Sequence, residues 1–107
     1  MNKTEDMKSC VGFDEVVRRI GGKWKLSILR QLIYNGTRRF NELRRDIPGI
    51  TQTMLTKQLR EMENDGLVNR KIYAEVPPRV EYTATSLAAD LDKFFQEMYE
   101  WETRNGI

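Results

Sequence analysis

Histidine does not occur anywhere in the 107 residues. Its absence excludes imidazole acid–base catalysis and every zinc site that needs a histidine ligand. Cysteine occurs once, at Cys10. An internal disulfide, a CxxC redox pair and a four-cysteine metal centre are therefore excluded. Proline is confined to three positions, and no stretch rich in Pro, Gly or Ser marks a linker. No apolar run approaches the roughly 18 residues of a membrane-spanning helix. Met1-Asn2-Lys3-Thr4-Glu5-Asp6 lacks the apolar core of a secretory signal, so the expected setting is soluble and cytoplasmic. Glu42 and Asp46 stand at i, i+4, a carboxylate pair with the spacing for acid–base work. No nucleophile, glycine-rich phosphate loop or metal set accompanies them, so no enzyme, cofactor or metal is expected.

Apolar residues make up 39% of the chain and charged residues 32%. The first figure suffices for a modest core, and the length fits one domain spanning 1–107. The net charge of +2 conceals an uneven distribution. Residues 1–22 are balanced, residues 23–82 carry twelve basic and seven acidic groups, and residues 83–107 carry two basic and five acidic. A basic middle between neutral and acidic ends suggests a surface that faces a polyanion, with an unevenly charged solvated surface as the alternative.

Periodicity supplies the elements. Phe13, Val16, Val17 and Ile20 fall at i, i+3, i+4 and i+7, the pattern of a short amphipathic helix over 13–20 that Gly21-Gly22 stops. A second helix is expected from about Trp24 to Tyr34, burying Ile28, Leu29, Leu32 and Ile33 and ending at Asn35-Gly36. Thr37-Arg38-Arg39 is extended or loop. Phe40, Leu43 and Ile47 predict a short helix over about 41–47, broken by Pro48-Gly49. Thr51 has the chemistry of an N-cap for a helix over 52–64 with Leu55, Leu59 and Met62 buried. Two strands follow, Leu67–Ala74 and Val80–Thr83, around the proline loop Val76-Pro77-Pro78-Arg79. A last helix is expected over 86–103, capped by Thr85. The class is mainly α with a small β-hairpin.

Two short helices joined by a tight turn make a helix-turn-helix over 41–64, and the hairpin over 67–83 makes it winged. In that architecture the second helix enters the major groove by its N-terminal residues. Thr53, Thr56, Lys57 and Arg60 share the face opposite Leu55, Leu59 and Met62, with Thr51 and Gln52 at the helix start. Gln and Thr read base edges, while Lys and Arg read guanine or hold phosphate. Arg38, Arg39, Arg44 and Arg45 flank the first helix, where a DNA backbone would pass. Glu42 and Asp46 stand close enough to neutralise some of them. Arg79, after the two prolines, is either a minor-groove probe at the hairpin tip or a surface arginine paired with Glu75 or Glu81.

Leu87, Leu91, Phe94, Met98 and Trp101 step by four, three, four, three, which is a heptad seam widened by Phe95 and Tyr99. The seam either covers the monomer's own core or forms a dimer interface with Phe13, Val16, Val17 and Ile20; its breadth favours a dimer. Cys10 is either a half-buried small hydrophobe or a thiol sensor. Lys8 would favour thiolate there and Glu5, Asp6 and Asp14 oppose it.

Taken together, Ile20-Gly21-Gly22-Lys23-Trp24, Arg39-Phe40-Asn41-Glu42-Leu43-Arg44-Arg45, Ile47-Pro48-Gly49-Ile50, Met54-Leu55-Thr56, Leu59-Arg60-Glu61-Met62-Glu63, Asp65-Gly66-Leu67-Val68 and Glu75-Val76-Pro77-Pro78-Arg79-Val80-Glu81-Tyr82 resemble the HxlR-type winged helix-turn-helix transcriptional regulators. The resemblance covers about residues 10 to 101. It implies a bacterial or archaeal cytoplasmic homodimer, joined through its N- and C-terminal helices, on a pseudo-palindromic double-stranded DNA operator. Some members sense electrophiles or oxidants through an N-terminal cysteine at the place of Cys10. Val11 stands where many relatives have Pro, and Ala88 where Gly is usual after the wing; Ala suits a helix better than Gly. The expected function is a sequence-specific repressor that covers promoter elements. The alternative is a protein-interaction module on the same scaffold, which predicts an apolar or acidic recognition face.

Overall fold

The computed structural model describes residues 3–9 and 11–107. The helices are α1 (Lys3–Lys8), α2 (Phe13–Ile20), α3 (Lys25–Asn35), α4 (Phe40–Asp46), α5 (Gln52–Asn64), α6 (Ser86–Ala89) and α7 (Asp92–Arg104). The strands are β1 (Arg38–Arg39), β2 (Val68–Tyr73) and β3 (Arg79–Ala84). Among the described residues no helix is long and apolar enough to cross a membrane.

The core is a single cluster in which α3, α4 and α5 meet the base of the sheet. Ile28, Leu29 and Leu32 of α3, Leu43 of α4, and Leu55, Leu59 and Met62 of α5 are buried, with Ile47, Ile50, Leu67, Val68 and Ala88 around them. Each fully buried side chain of this kind contributes about 1.5–3 kcal/mol relative to exposure. These are the apolar positions that helical spacing selects. The ends also follow local chemistry. Gly36 stops α3 at φ 77°, a conformation that side chains with a Cβ resist. Thr51 caps α5 by accepting from the Met54 N–H at 3.1 Å, and Thr85 caps α6 by accepting from the Ala88 N–H at 3.2 Å.

The expected hairpin is part of a three-stranded antiparallel sheet in the order β1-β3-β2. Val68 faces Ala84 and Tyr73 faces Arg79 across β2 and β3, while Arg38 and Arg39 face Tyr82 and Glu81. The extended piece before α4 thus ties the helix-turn-helix to the wing. α1 has no counterpart in the periodicity of the chain, because it is charged, buries nothing and repeats no apolar pattern.

The last helix is not continuous. It breaks at Asp90-Leu91, where the Leu91 N–H bonds to the Ala88 carbonyl at 3.0 Å in a tight i to i+3 turn. The break lets both Ala88 and Leu91 face the core, and Phe95 follows one turn later, edge-on to Tyr34. The heptad seam is thereby divided. Leu91 and Phe95 are half-buried against the monomer's own core. Leu87, Phe94, Met98 and Trp101 stay exposed. The Tyr34 hydroxyl, which donates to the Asp92 carboxylate, fastens the start of α7 to α3.

Lys25 is the charged side chain among the buried residues, at 7% exposure. Its ammonium lies 2.8 Å from the Glu61 carboxylate. That hydrogen bond holds the Glu61 carboxyl below its ordinary 4.5. Because the folded pKa lies below the unfolded one, the pair's contribution is complete above the unfolded value and is lost as pH falls through the folded value. Glu61→Gln should melt below the native protein at about pH 7, and the two melting curves should converge as pH falls below the ordinary carboxyl range. Thermal unfolding followed by circular dichroism across that range checks this.

Candidate nucleic-acid interface

α5 is held by Leu55, Leu59 and Met62, so its opposite face is turned to solvent. Gln52, Thr53, Lys57 and Arg60 are exposed and Thr56 is half-buried. Together with Glu61 and Asn64 they line one shallow groove of about 480 Å³. The first turn of α5 contains no acid, and its free N–H groups carry the positive end of the helix dipole. Thr56 and Arg60 also line a smaller cleft towards the wing, shared with Arg70 and Tyr82. The structure therefore brings the expected recognition residues to one surface, with the wing beside them.

The arginines around α4 divide into two kinds. Arg38 is engaged inside the protein. Its Nε and Nη2 each donate to the Asp46 carboxylate at 2.8 Å, and Nη1 lies 3.3 Å from Glu42. This fork locks β1 to the far end of α4, so Arg38 is spent on building the unit. Arg39, Arg44 and Arg45 are exposed and make no ion pair among the described residues. Arg39 uses its backbone N–H instead, donating to Glu42 at 2.8 Å. Arg39, Asn41 and Arg45 line a groove of about 820 Å³ with the wing residues Val76, Pro77 and Arg79.

Arg79 departs from the expectation of a free probe. It opens β3 behind the loop, with its guanidinium 4.0 Å above the Tyr73 ring and within 3.3 Å of Glu75 and 3.7 Å of Glu81. Two carboxylates and an aromatic face outcompete water for one cation. The paired alternative is the one adopted, and Val76 rather than Arg79 is fully exposed in the loop. Lys71 is a cation that residue spacing did not single out. It is exposed on β2, over the Tyr73 ring at 4.8 Å and without an acidic partner among the described residues. Its signal is the alternation of β2, which points Lys71 and Asn69 to the same side.

The charge accounting makes the basic block sharper than composition suggests. All seven acids of residues 23–82 are in ion pairs: Glu42 and Asp46 with Arg38, Glu61 with Lys25, Glu63 with Arg70, Asp65 with Arg18, and Glu75 and Glu81 with Arg79. Four of the twelve basic residues of that block are consumed in these pairs. Among the described residues the other eight, including Arg39, Arg44, Arg45, Lys57, Arg60 and Lys71, make no ion pair.

Cys10 lies outside the described residues. Among the described residues no cluster of His, Cys, Asp or Glu is placed to hold a metal ion. The expected interface residues Phe13, Val16 and Val17 of α2 are exposed, Phe13 at 61%, and Ile20 alone is partly packed against the core.

Known proteins match this arrangement. The profile of the HxlR-like helix-turn-helix family matches residues 19–106. The chain belongs to that family. It is 50% identical to the HTH-type transcriptional regulator YkvN of Bacillus subtilis over 93 residues, which is 87% of this chain and 77% of YkvN. Among solved structures it is similar to the redox regulator HypR in its reduced form, with a TM-score of 0.79 and 46% identity over 87% of this chain and 91% of that one. It is also similar to the HTH-type transcriptional regulator YtcD, with a TM-score of 0.82 and 42% identity over 87% and 94% of the two chains. The HxlR-like chain is thus a DNA-binding transcription regulator with a winged helix-turn-helix, and its relatives carry the names of regulators rather than enzymes.

The two kinds of arginine should separate experimentally. Arg44→Ala and Arg45→Ala should weaken binding to all duplexes alike, with an unchanged melting temperature. Each should flatten the slope of log affinity against log salt by about one for every phosphate it no longer neutralises. Arg38→Ala should instead destabilise the fold by about 1–3 kcal/mol, because it strands a half-buried carboxylate. Salt-titrated fluorescence anisotropy and thermal melts on the same variants read both.

Proposed function

We propose that the chain is a homodimeric, sequence-specific repressor that places two α5 helices in successive major grooves of a pseudo-palindromic operator. The observation that carries this reading is the α5 face itself: Gln52, Thr53, Thr56, Lys57 and Arg60 side by side on a surface whose neighbouring acids are already paired. Gln52, Thr53 and Thr56 are the base readers, with Lys57 and Arg60 reading guanine or holding phosphate. Thr51 donates its backbone N–H or hydroxyl to the phosphate beside the helix start. Arg39, Arg44, Arg45 and Lys71 hold the backbone on either side. Arg79 joins them only if a phosphate or a narrow minor groove displaces Glu75 and Glu81. An interaction module would need an apolar or acidic face here, and this face is neither.

The dimer reading rests on apolar surface without a partner in the monomer. Phe13, Val16 and Val17 of α2 and Phe94, Met98 and Trp101 of α7 are all exposed, Trp101 at 55%. The radius of gyration is 15.9 Å, against about 13 Å for a compact chain of this length, because these helices extend beyond the core. A second copy that covers them accounts for both facts. Repression follows from steric cover of the promoter, in the cytoplasm where the operator is. We further assign Cys10 as the redox-responsive group, supported by the likeness to the redox regulator HypR and by its place in the chain just before α2. Cys10→Ser should bind the operator normally and lose any oxidant-induced release.

The test is binding to fragments of the organism's own genome, including the region upstream of the gene, at two salt concentrations. Selectivity of about 10³-fold or more over bulk DNA, kept at the higher salt, is expected. Equal binding to every fragment would make the protein architectural instead. Met98→Glu should convert the dimer to a monomer in sedimentation and weaken full-operator binding by about 100-fold or more, because linked half-sites contribute to one another.

A further inference from the structure

α2 buries no side chain, and only Ile20 touches the core. Its connection to α3 is Gly21-Gly22. Gly22 has φ 85°, and a Cβ on Gly21 would stand 2.3 Å from the Val17 carbonyl. Apolar packing therefore reaches α2 through Ile20 alone, at the tight turn that the Gly21 N–H closes on the Val17 carbonyl at 2.7 Å. Two polar contacts add to this. The Lys25 ammonium reaches the Glu61 carboxylate at 2.8 Å and the Arg18 carbonyl at 3.1 Å. The Arg18 guanidinium reaches the Asp65 carboxylate at 3.1 Å. The Arg18 carbonyl belongs to the last turn of α2, the negative end of its dipole, so a buried ammonium there acts as a cap. Both contacts end on α5: Glu61 lies in its third turn and Asp65 is its C-cap residue.

We propose that Lys25 is a positioning residue for operator spacing: by joining the end of α2 to Glu61 of α5, it fixes the angle between the helix that meets the second copy and the helix that enters the groove. The inference rests on the dimeric, operator-binding reading above. A buried ion pair is a poor device for stability, since an apolar side chain of similar size often serves as well or better. Its use is geometric. One base pair moves a half-site about 3.4 Å along the duplex and about a tenth of a turn around it. Only a dimer whose two recognition helices stand at a fixed separation notices that change.

The experiment uses the full-length protein on its selected operator, on operators with one base pair inserted or deleted at the centre, and on a duplex with a single half-site. The native protein should lose about tenfold or more for each change of spacing. Lys25→Met, which removes the charge and keeps the volume, should lose less than about threefold, with single half-site binding near the native value at a temperature where the variant is fully folded. A purely structural lysine would leave the spacing preference intact, whatever its effect on the melting temperature. Should Lys25→Met fail to fold, Glu61→Gln carries the test, read as spacing preference relative to its own single half-site binding because Glu61 also lines the recognition groove. Native-like spacing preference in the folded variants overturns the clamp alone. A native protein indifferent to spacing overturns the clamp and the dimer-on-palindrome reading together.

Discussion

Leu55, Leu59 and Met62 are withdrawn from water into the core cluster that also holds Ile28, Leu29 and Leu32, and this burial orients the recognition helix. A helix with one face fixed in a core has no freedom about its axis. Thr53, Thr56, Lys57 and Arg60 must then face outwards, and Thr51, by capping the helix, sets where that face begins. The remaining parts take their positions from α5. Leu43 of α4 and the following Ile47 share its core, β2 begins beside it at Val68, and α2 is referenced to it by Lys25 and Arg18.

A second constraint is the disposal of negative charge. A surface that approaches phosphates does so at a cost for every free carboxylate it presents. This chain keeps seven acids in its basic segment and engages each with a cation whose own position serves the fold. Arg38 joins β1 to α4, Lys25 joins α2 to α5, and Arg79 stacks within the wing. The same pairs that stiffen the scaffold neutralise the acids beside the α5 face. Scaffold and electrostatics are therefore one set of contacts.

Much of this was legible in residue spacing. The apolar stripes of α3, α4 and α5 have no second interpretation once a core is required, and Thr51 and Thr85 are caps by their chemistry. The recognition face followed as the complement of a buried stripe. What spacing could not separate was apolar surface that meets the monomer's own core from apolar surface that meets a partner. Leu91 and Phe95 share a heptad pattern with Phe94, Met98 and Trp101, yet a single turn at Asp90-Leu91 sends the first pair inwards. That turn depends on a tertiary contact at Ala88, which no local pattern announces. β1 was hidden for a similar reason, because two residues become a strand only when β3 lies alongside. The fate of Arg79 turned on Tyr73, six positions earlier and adjacent only across the hairpin.

The claim at the centre of this account is that the outward face of α5 reads bases while the flanking arginines only hold the backbone. It is tested most directly by selecting bound duplexes from a random pool with the native protein and with Gln52→Ala. The account predicts two inverted half-sites about one helical turn apart, or a multiple of that, for the native protein. It predicts that Gln52→Ala relaxes one or two symmetric positions within each half and leaves the others unchanged. No enriched sequence, or a motif indifferent to Gln52→Ala and equally to Thr53→Ala and Thr56→Ala, would contradict it.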